Sequence, residues 1–320
     1  MPEDNVSSLA SVAVLVVNFG SHALVEHNLL TSVGEQFAGS VVVIDNFTSS
    51  TERAAIQRVC DAHGWVLVPS PTNEGFGGGN NLGARTAIDL GATELLFLNP
   101  DAHIDTSSIE RLQAKVLSTR SVLVAPVVLR PGGALYAAAT DLYLSNGEML
   151  ASSKRPPGVR RDSLHTWVSG ACFMASSELW TAIGGFDEEY FLYWEDVDLS
   201  RRVVEAGGSV EVDHESHAIH DEGSTHGFNG PKRAKSPIYY YYNTRNRLMY
   251  AAKHLSADDQ RRWLRATPRV SYRILLQGGR RQFIRPGTTI WPAIKGTLHG
   301  RRYLKRHMAG AAATPDRVVP

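Results

Sequence analysis

The amino-acid sequence predicts an α/β fold: a mostly parallel central sheet with crossover helices, followed by a basic helical C-terminal region. Three observations predict it. Short Val/Ile-rich runs alternate with helical stretches through the first half. Those runs end in polar residues and lack in-out alternation, the pattern of parallel strands buried on both faces. The charge also inverts: residues 1–244 carry 16 Lys/Arg against 29 Asp/Glu, and residues 245–310 carry 16 against two.

Taken in order, Val12–Asn18, Ser40–Asp45, Trp65–Val68, Glu94–Leu98 and Val122–Pro126 read as strands. Between them His22–Val33, Thr51–His63 and Gly79–Leu90 read as helices, the last started by Asn80, Asn81 or a preceding loop glycine. Open sheets of this kind use right-handed crossovers and bind ligands at the carboxyl ends of their strands. Here those ends read Asn18, Asp45-Asn46, Asn73-Glu74-Gly75 and Asn99-Pro100-Asp101, which places the site along one polar edge. The expected organisation is an α/β domain over 1–238, a helical region over 239–308 and a disordered end over 309–320.

Composition narrows the classes. Cys60 and Cys172 are far apart, form no redox or metal-ligand pair, and fit packing in a reducing compartment. Residues 1–11 are polar and the run Val12–Val17 is too short for a signal peptide or a membrane span. A cytoplasmic protein is expected. The basic C-terminal region must meet something negative: anionic headgroups, lipid-linked diphosphates, nucleic acid or the acidic first domain.

Four segments bear on chemistry. Glu195, Asp196 and Asp198 follow an aromatic turn holding Phe186, Tyr190, Phe191, Tyr193 and Trp194. Acids suit a helix N-terminus, but aromatic walls around a carboxylate also build a desolvated general base. The segment Asn73–Asn81 lacks the Gly-Lys-Ser/Thr of a P-loop, and Asn80 stands where a dinucleotide fingerprint needs glycine. It reads as a turn opening a helix, facing a phosphate or simply meeting a backbone need for positive φ. Asn99-Pro100-Asp101 is either a turn or a one-carboxylate site for a hard divalent cation that also takes diphosphate oxygens. His214, His217, His220 and His226 lack cysteines and any H-E-x-x-H pattern, which argues against zinc; they read either as exposed polar histidines, the reading favoured for His214 and His226, or as one strand-end histidine joining Asp101 on a metal.

Together these residues resemble the family 2 glycosyltransferases, in the rhamnosyltransferase-like branch that builds bacterial cell-surface polysaccharides. The resemblance spans about Val12 to His254. It rests on Val16-Val17-Asn18-Phe19, Val43-Ile44-Asp45-Asn46, Asn73-x-Gly75-Phe76-x-Gly78-Gly79-Asn80-Asn81, Leu98-Asn99-Pro100-Asp101, Ser169-Gly170-Ala171, Gly184-Gly185-Phe186-Asp187-Glu188 and Trp194-Glu195-Asp196-Val197-Asp198-Leu199, in the family's order. It implies a glycosyltransferase A-type domain, a nucleoside-diphosphate sugar donor and inversion at the anomeric carbon. By that resemblance Asp196 is the general base, with Glu195 and Asp198 in possible support. Asp45 contacts the nucleobase, within a donor site of Asn18, Asp45, Asn46, Asn73, Gly75, Phe76, Asn80, Asn99 and Asp101. Trp194 and Gly170 face the acceptor, and Asp101 with His220 holds Mg²⁺ or Mn²⁺. The sequence departs at Asn99, where many relatives carry a second acid, leaving one carboxylate for the metal.

The expected partners are dTDP-rhamnose and a polyprenyl-diphosphate-linked or polysaccharide acceptor. The C-terminal region mixes Lys/Arg with Trp263, Tyr272, Phe283, Trp291 and Tyr303, which suits an anionic membrane surface, here the inner face of the plasma membrane. Helices docked on the acidic domain are the alternative. No nucleic-acid motif accompanies the charge. A sugar-1-phosphate nucleotidyltransferase, which would need a basic Gly-rich loop near the N-terminus, and a non-catalytic glycan- or nucleotide-sugar-binding protein are the competing functions.

Overall fold

The computed structural model describes residues 8–35, 37–221, 235–284 and 286–313. Its first strand, β1 (Val12–Asn18), is buried along its whole length, as hydrophobicity on both faces demands. The chain continues through α1 (His22–Val33), β2 (Ser40–Asp45), α2 (Ser50–His63), β3 (Val66–Pro69), α3 (Gly75–Asp89), β4 (Glu94–Leu98), β5 (Ala102–Ile104) and α4 (Thr106–Ser118). Then follow β6 (Val122–Leu129), β7 (Leu135–Ala137), β8 (Thr140–Tyr143), β9 (Met149–Ala151), β10 (Leu164–Trp167) and β11 (Cys172–Ser176). The last elements are α5 (Ser177–Ile183), α6 (Glu195–Glu205), β12 (Ser209–His220), α7 (Pro237–His254), α8 (Ala257–Gln277) and α9 (Ile290–Ala313).

The main sheet has the order β3-β2-β1-β4-β11-β6-β12-β5, with β7 on β6. Strands β1 to β4 run parallel, β11 is antiparallel to both β4 and β6, and β12 is parallel to β6. The carboxyl ends of β1, β2, β4 and β12 therefore share one edge, and β11 starts there. Alternation along β1 divides the core: Val12, Val14 and Val16 join Leu29, Ile56 and Leu112 on one face, while Ala13 and Leu15 join Ile44, Phe97 and Trp180 on the other.

Two units emerge. The first comprises the described residues of 1–140, 151–154 and 166–227; the second comprises those of 141–150, 155–165 and 228–320. Residues 141–150 and 155–165, assigned to the α/β domain on sequence, thus cluster with the helical region. Within this second unit the Trp263 indole donates to Leu144 O at 2.8 Å. Arg247, buried over the Trp263 ring, donates to Asn146 O at 2.6 Å. Desolvation pushes the Arg247 pKa down to about 9.

Three local expectations are corrected. The glycine run is a helix: α3 begins at Gly75. A Cβ on Gly79 would sit 3.0 Å from Val17, and one on Gly83 would sit 2.5 Å from Ile44, so these glycines let α3 lie close on the sheet. Strand β6 extends three residues past Pro126. Helix α9 continues to Ala313, where a disordered end was expected; residues 314–320 and His226 lie outside the described residues.

Candidate active site

The acids of α6 are aimed by an unusual turn. Tyr193 and Trp194 have φ of 65° and 77°, the only positive-φ residues other than glycine among those described. Bulky residues in this region cost roughly 1–2 kcal/mol each, and such strain clusters at functional sites. The turn is held from α3, where Phe76 N donates to Phe191 O at 3.0 Å, and from α6, whose Asp198 N donates to Trp194 O at 2.9 Å. Gly75 makes the first contact possible, because a Cβ there would fall 2.2 Å from Phe191 O.

The three acids emerge with different fates. Asp198 is fully buried and pairs with Arg202 Nε at 2.8 Å, while Arg202 also donates to Ile183 O, tying α6 to the end of α5. Glu195 is buried, and its Oε2 has no hydrogen-bond partner. Desolvation, with the charges of Asp196 and Asp198, holds its pKa well above the carboxylate range. Asp196 is only half-buried. Its Oδ2 accepts from Gly170 N at 3.1 Å and its Oδ1 from Val197 N at 2.9 Å. Desolvation pushes its pKa up to about 6, against the pull of those two N–H groups. Asp196 therefore combines access with basicity near neutral pH, which a general base needs.

A second cluster lies along the same strand ends. His220 ends β12 and pairs with Ala102 of β5, which brings its Nε2 to 3.0 Å from Asp101 Oδ1 and 3.3 Å from Asn99 Nδ2. Asn99 Oδ1 and His220 Nδ1 are buried with no hydrogen-bond partner. The Tyr136 ring packs 4.6 Å from the imidazole, and Arg130 lies over Tyr136. Neither was singled out by sequence, since nothing in the chain spacing joins 130–136 to 220. Asn99 N donates to Ala171 O at 2.9 Å, next to the Gly170 amide that holds Asp196. The two clusters thus meet across Gly170-Ala171. Among the described residues no three His, Cys, Asp or Glu side chains converge on a metal position. One carboxylate, one imidazole and an unengaged amide oxygen still fit Mg²⁺ or Mn²⁺, which often take only one or two protein carboxylates and complete their shells with phosphate and water.

At the end of β2, Asp45 is fully buried; Oδ2 accepts from Arg53 Nε at 2.5 Å, and Oδ1 has no hydrogen-bond partner. The Arg53 guanidinium lies 4.7 Å over Phe47, and Phe47 and Phe19 are both exposed. Several other candidates hold the local backbone through their side chains. Asn18 accepts from Ser21 N and donates to Glu52. Asn46 donates to Asn73 Oδ1 and Gly75 O and accepts from Glu74 N. Asn80 donates to Phe76 O, and Asn81 clamps the Phe186 backbone and Glu188. Phe76 packs edge-on to Phe186 and close to Gly170. Trp194 is 5% exposed, so its backbone conformation rather than an open indole face is what it brings to the site.

No protein-family model matches the chain. It is 27% identical over 308 residues, 91% of each chain, to the low-salt glycan biosynthesis hexosyltransferase Agl10 of Haloferax volcanii. It is 30% identical over 225 residues to the N-acetylglucosaminyl-diphospho-decaprenol L-rhamnosyltransferase of Mycobacterium tuberculosis, covering 58% of this chain and 68% of that one. Among solved structures, the mannosyltransferase PcManGT of Pyrobaculum calidifontis, in complex with GDP-Man and Mn²⁺, superposes with a TM-score of 0.52 at 17% identity, over 96% of this chain and 76% of that one. The fold is that of the A-type glycosyltransferases, and the chain belongs to the family 2 glycosyltransferases, in their rhamnosyltransferase-like branch.

Proposed function

We propose that this glycosyltransferase moves a sugar, with inversion, from a nucleoside-diphosphate donor to an acceptor hydroxyl in cell-envelope polysaccharide synthesis. The favoured donor is dTDP-rhamnose, and the acceptor is lipid-linked or a polysaccharide. The observation that carries the reading is Asp196: half-buried, anchored by Gly170 N and Val197 N, raised to about 6, and joined through Gly170-Ala171 to the Asn99, Asp101 and His220 cluster. The mycobacterial relative, named for an L-rhamnosyl transfer to a diphospho-decaprenol, supports both sugar and acceptor class.

In this mechanism Asp196 takes the proton of the acceptor hydroxyl as that oxygen attacks the anomeric carbon. The bond to the diphosphate breaks on the opposite face, which inverts the configuration. A positioned base of this kind contributes roughly 10²–10⁴-fold. Asp101 and His220, with the Asn99 amide oxygen, would hold Mg²⁺ or Mn²⁺, and the ion would supply charge neutralisation for the leaving diphosphate. Manganese accompanies GDP-Man in PcManGT. Asp45, with one unengaged buried oxygen, would accept from the nucleobase, and Phe47 and Phe19 would flank it. Work at the inner face of the plasma membrane, through the basic second unit, belongs to the same reading; among the described residues no helix is long and apolar enough to cross a membrane.

The test is nucleoside diphosphate release from dTDP-, UDP- and GDP-sugars, with a lipid-linked acceptor, with and without Mg²⁺ or Mn²⁺. Release from one donor that depends on the ion and is lost in Asp101→Ala and Asp196→Asn supports the assignment. Mn²⁺ binding followed by electron paramagnetic resonance, weakened in Asp101→Ala, reads the metal site independently of turnover. Donor binding without transfer in the wild type would point to a binding protein instead.

A further inference from the structure

A cluster of positive charge lies far in sequence from the acids of α6. A cleft of about 260 Å³ in the second unit is lined by Arg245, His299, Arg302, Tyr303 and Arg306. Four of these stand at positions i, i+3, i+4 and i+7 of α9 and therefore share one helix face. Arg245 comes from α7, and two glycines let that helix close in. A Cβ on Gly296 would sit 2.1 Å from Tyr241 O, and one on Gly300 would sit 2.7 Å from Arg245 O. The approach also lets the Tyr241 hydroxyl meet His299 Nδ1 at 2.7 Å, which fixes the ring.

Nothing of opposite sign balances this face from its own element, because Ile290–Ala313 contains no Asp or Glu. The two acids of α8 are engaged locally, Asp258 with Arg261 and Asp259 with Arg262. Burial, together with the neighbouring Lys295, Arg302 and Arg245, lowers the His299 pKa, as expected where several cations share one cleft. Guanidinium forks suit phosphate oxygens because they donate two parallel hydrogen bonds. On α9 itself, Trp291, Ile294 and Leu298 follow i, i+3, i+7 spacing and are 63%, 42% and 47% exposed, so hydrocarbon has exposed apolar side chains to meet on the helix that carries the basic cluster.

We propose that Arg245, His299, Arg302 and Arg306 form a binding site for a lipid-borne phosphate ester, with Trp291, Ile294 and Leu298 taking the adjoining hydrocarbon. This rests on the membrane-face part of the functional reading and gives it a defined headgroup site in place of diffuse attraction. The occupant is an anionic glycerophospholipid with a phosphomonoester headgroup, whose doubly ionisable phosphate offers paired oxygens to the guanidinium forks; inorganic pyrophosphate probes the same contacts without the lipid.

The test is co-sedimentation of the full chain, without donor sugar, with three vesicle types: phosphatidylcholine alone, or with phosphatidic acid or phosphatidylglycerol at matched surface charge. Calorimetry with inorganic pyrophosphate runs beside it. The expected result is binding to phosphatidic acid vesicles that exceeds binding to phosphatidylglycerol, weakened about tenfold or more in the Arg302→Gln/Arg306→Gln double variant. Leu298→Ser should weaken vesicle binding while leaving pyrophosphate binding intact. Thermal unfolding of each variant checks folding. Phosphatidic acid binding that survives the double variant would overturn the site while leaving a general membrane role standing. Pyrophosphate binding without any vesicle preference would overturn the lipid source, and absence of both would overturn the site and the membrane role together. Because no sugar is transferred, none of these outcomes depends on the transferase chemistry.

Discussion

At the scale of single residues, the behaviour of Asp196 follows from a balance between desolvation and two backbone N–H groups. In the proposed mechanism the base must be ionised, so with a pKa of about 6 transfer should fall tenfold per unit as pH drops below that value, measured as kcat/KM against pH. Asp196→Asn should lose about 10²–10⁴-fold in transfer and keep donor binding; equal activity would remove the assignment. Stability should move the other way. An Asp with an ordinary value of 3.8 in the unfolded chain and about 6 in the folded one binds more protons when folded between those values. Folding therefore weakens as pH rises through that window, and the full penalty persists above it. Asp196→Asn should accordingly unfold at higher temperature than wild type at pH 7–8, by an amount of order 1 kcal/mol, with the difference vanishing toward pH 4. The acid itself was legible because three carboxylates follow an aromatic run. Its aim was not: neither Tyr193 nor Trp194 has a side chain that favours the left-handed region, so only tertiary contacts reveal it. The separate part played by Asp198 was half legible, since Arg202 lies four residues on.

At the scale of elements, α3 shows where composition misleads. Glycine costs about 1 kcal/mol per residue in a helix interior, so glycine at 75, 77 and 78 reads as a turn ahead of a helix that starts only at Gly79. Contact with Val17 and Ile44 reverses that preference, because the missing Cβ atoms let helix and sheet meet. Strands β1 to β4 and β6 and helices α1 and α2 were readable to within a few residues, since their hydrophobic runs are local, whereas α4 and the short strands β5 and β7 to β10 were not read. Antiparallel β11, slotted between β4 and β6, was not, because it pairs with partners roughly 50 and 80 residues earlier. Gly75→Ala should cost about 3 kcal/mol or more, from positive φ and the close approach of Phe191 O. Gly64→Ala, with φ of 67° but open space around it, should cost about 1 kcal/mol. Urea midpoints of the two variants give the comparison, and similar values would deny α3 its role in positioning the turn before α6.

At the scale of the whole molecule, the second unit is assembled from separated stretches of chain. Arg247 and Trp263 find their acceptors at Asn146 and Leu144, 101 and 119 residues away, and Arg155 grips Asp141 through two hydrogen bonds. The charge inversion near residue 240 suggested a boundary there, but a change of composition marks only contiguous segments and was blind to 141–150 and 155–165. A fragment spanning 235–313 should therefore lack the near-ultraviolet dichroism of a fixed Trp263 and unfold without a cooperative transition. A sharp transition in that fragment would show that the helices stand alone. The same separation has a consequence during synthesis. At about 5–20 residues per second, Asn146 is added to the chain about five to twenty seconds before Arg247, 101 residues on, is made to meet it. For that interval the segment exists as a docking strip awaiting its own C-terminus, and a chaperone or a slowed codon run would act on it then.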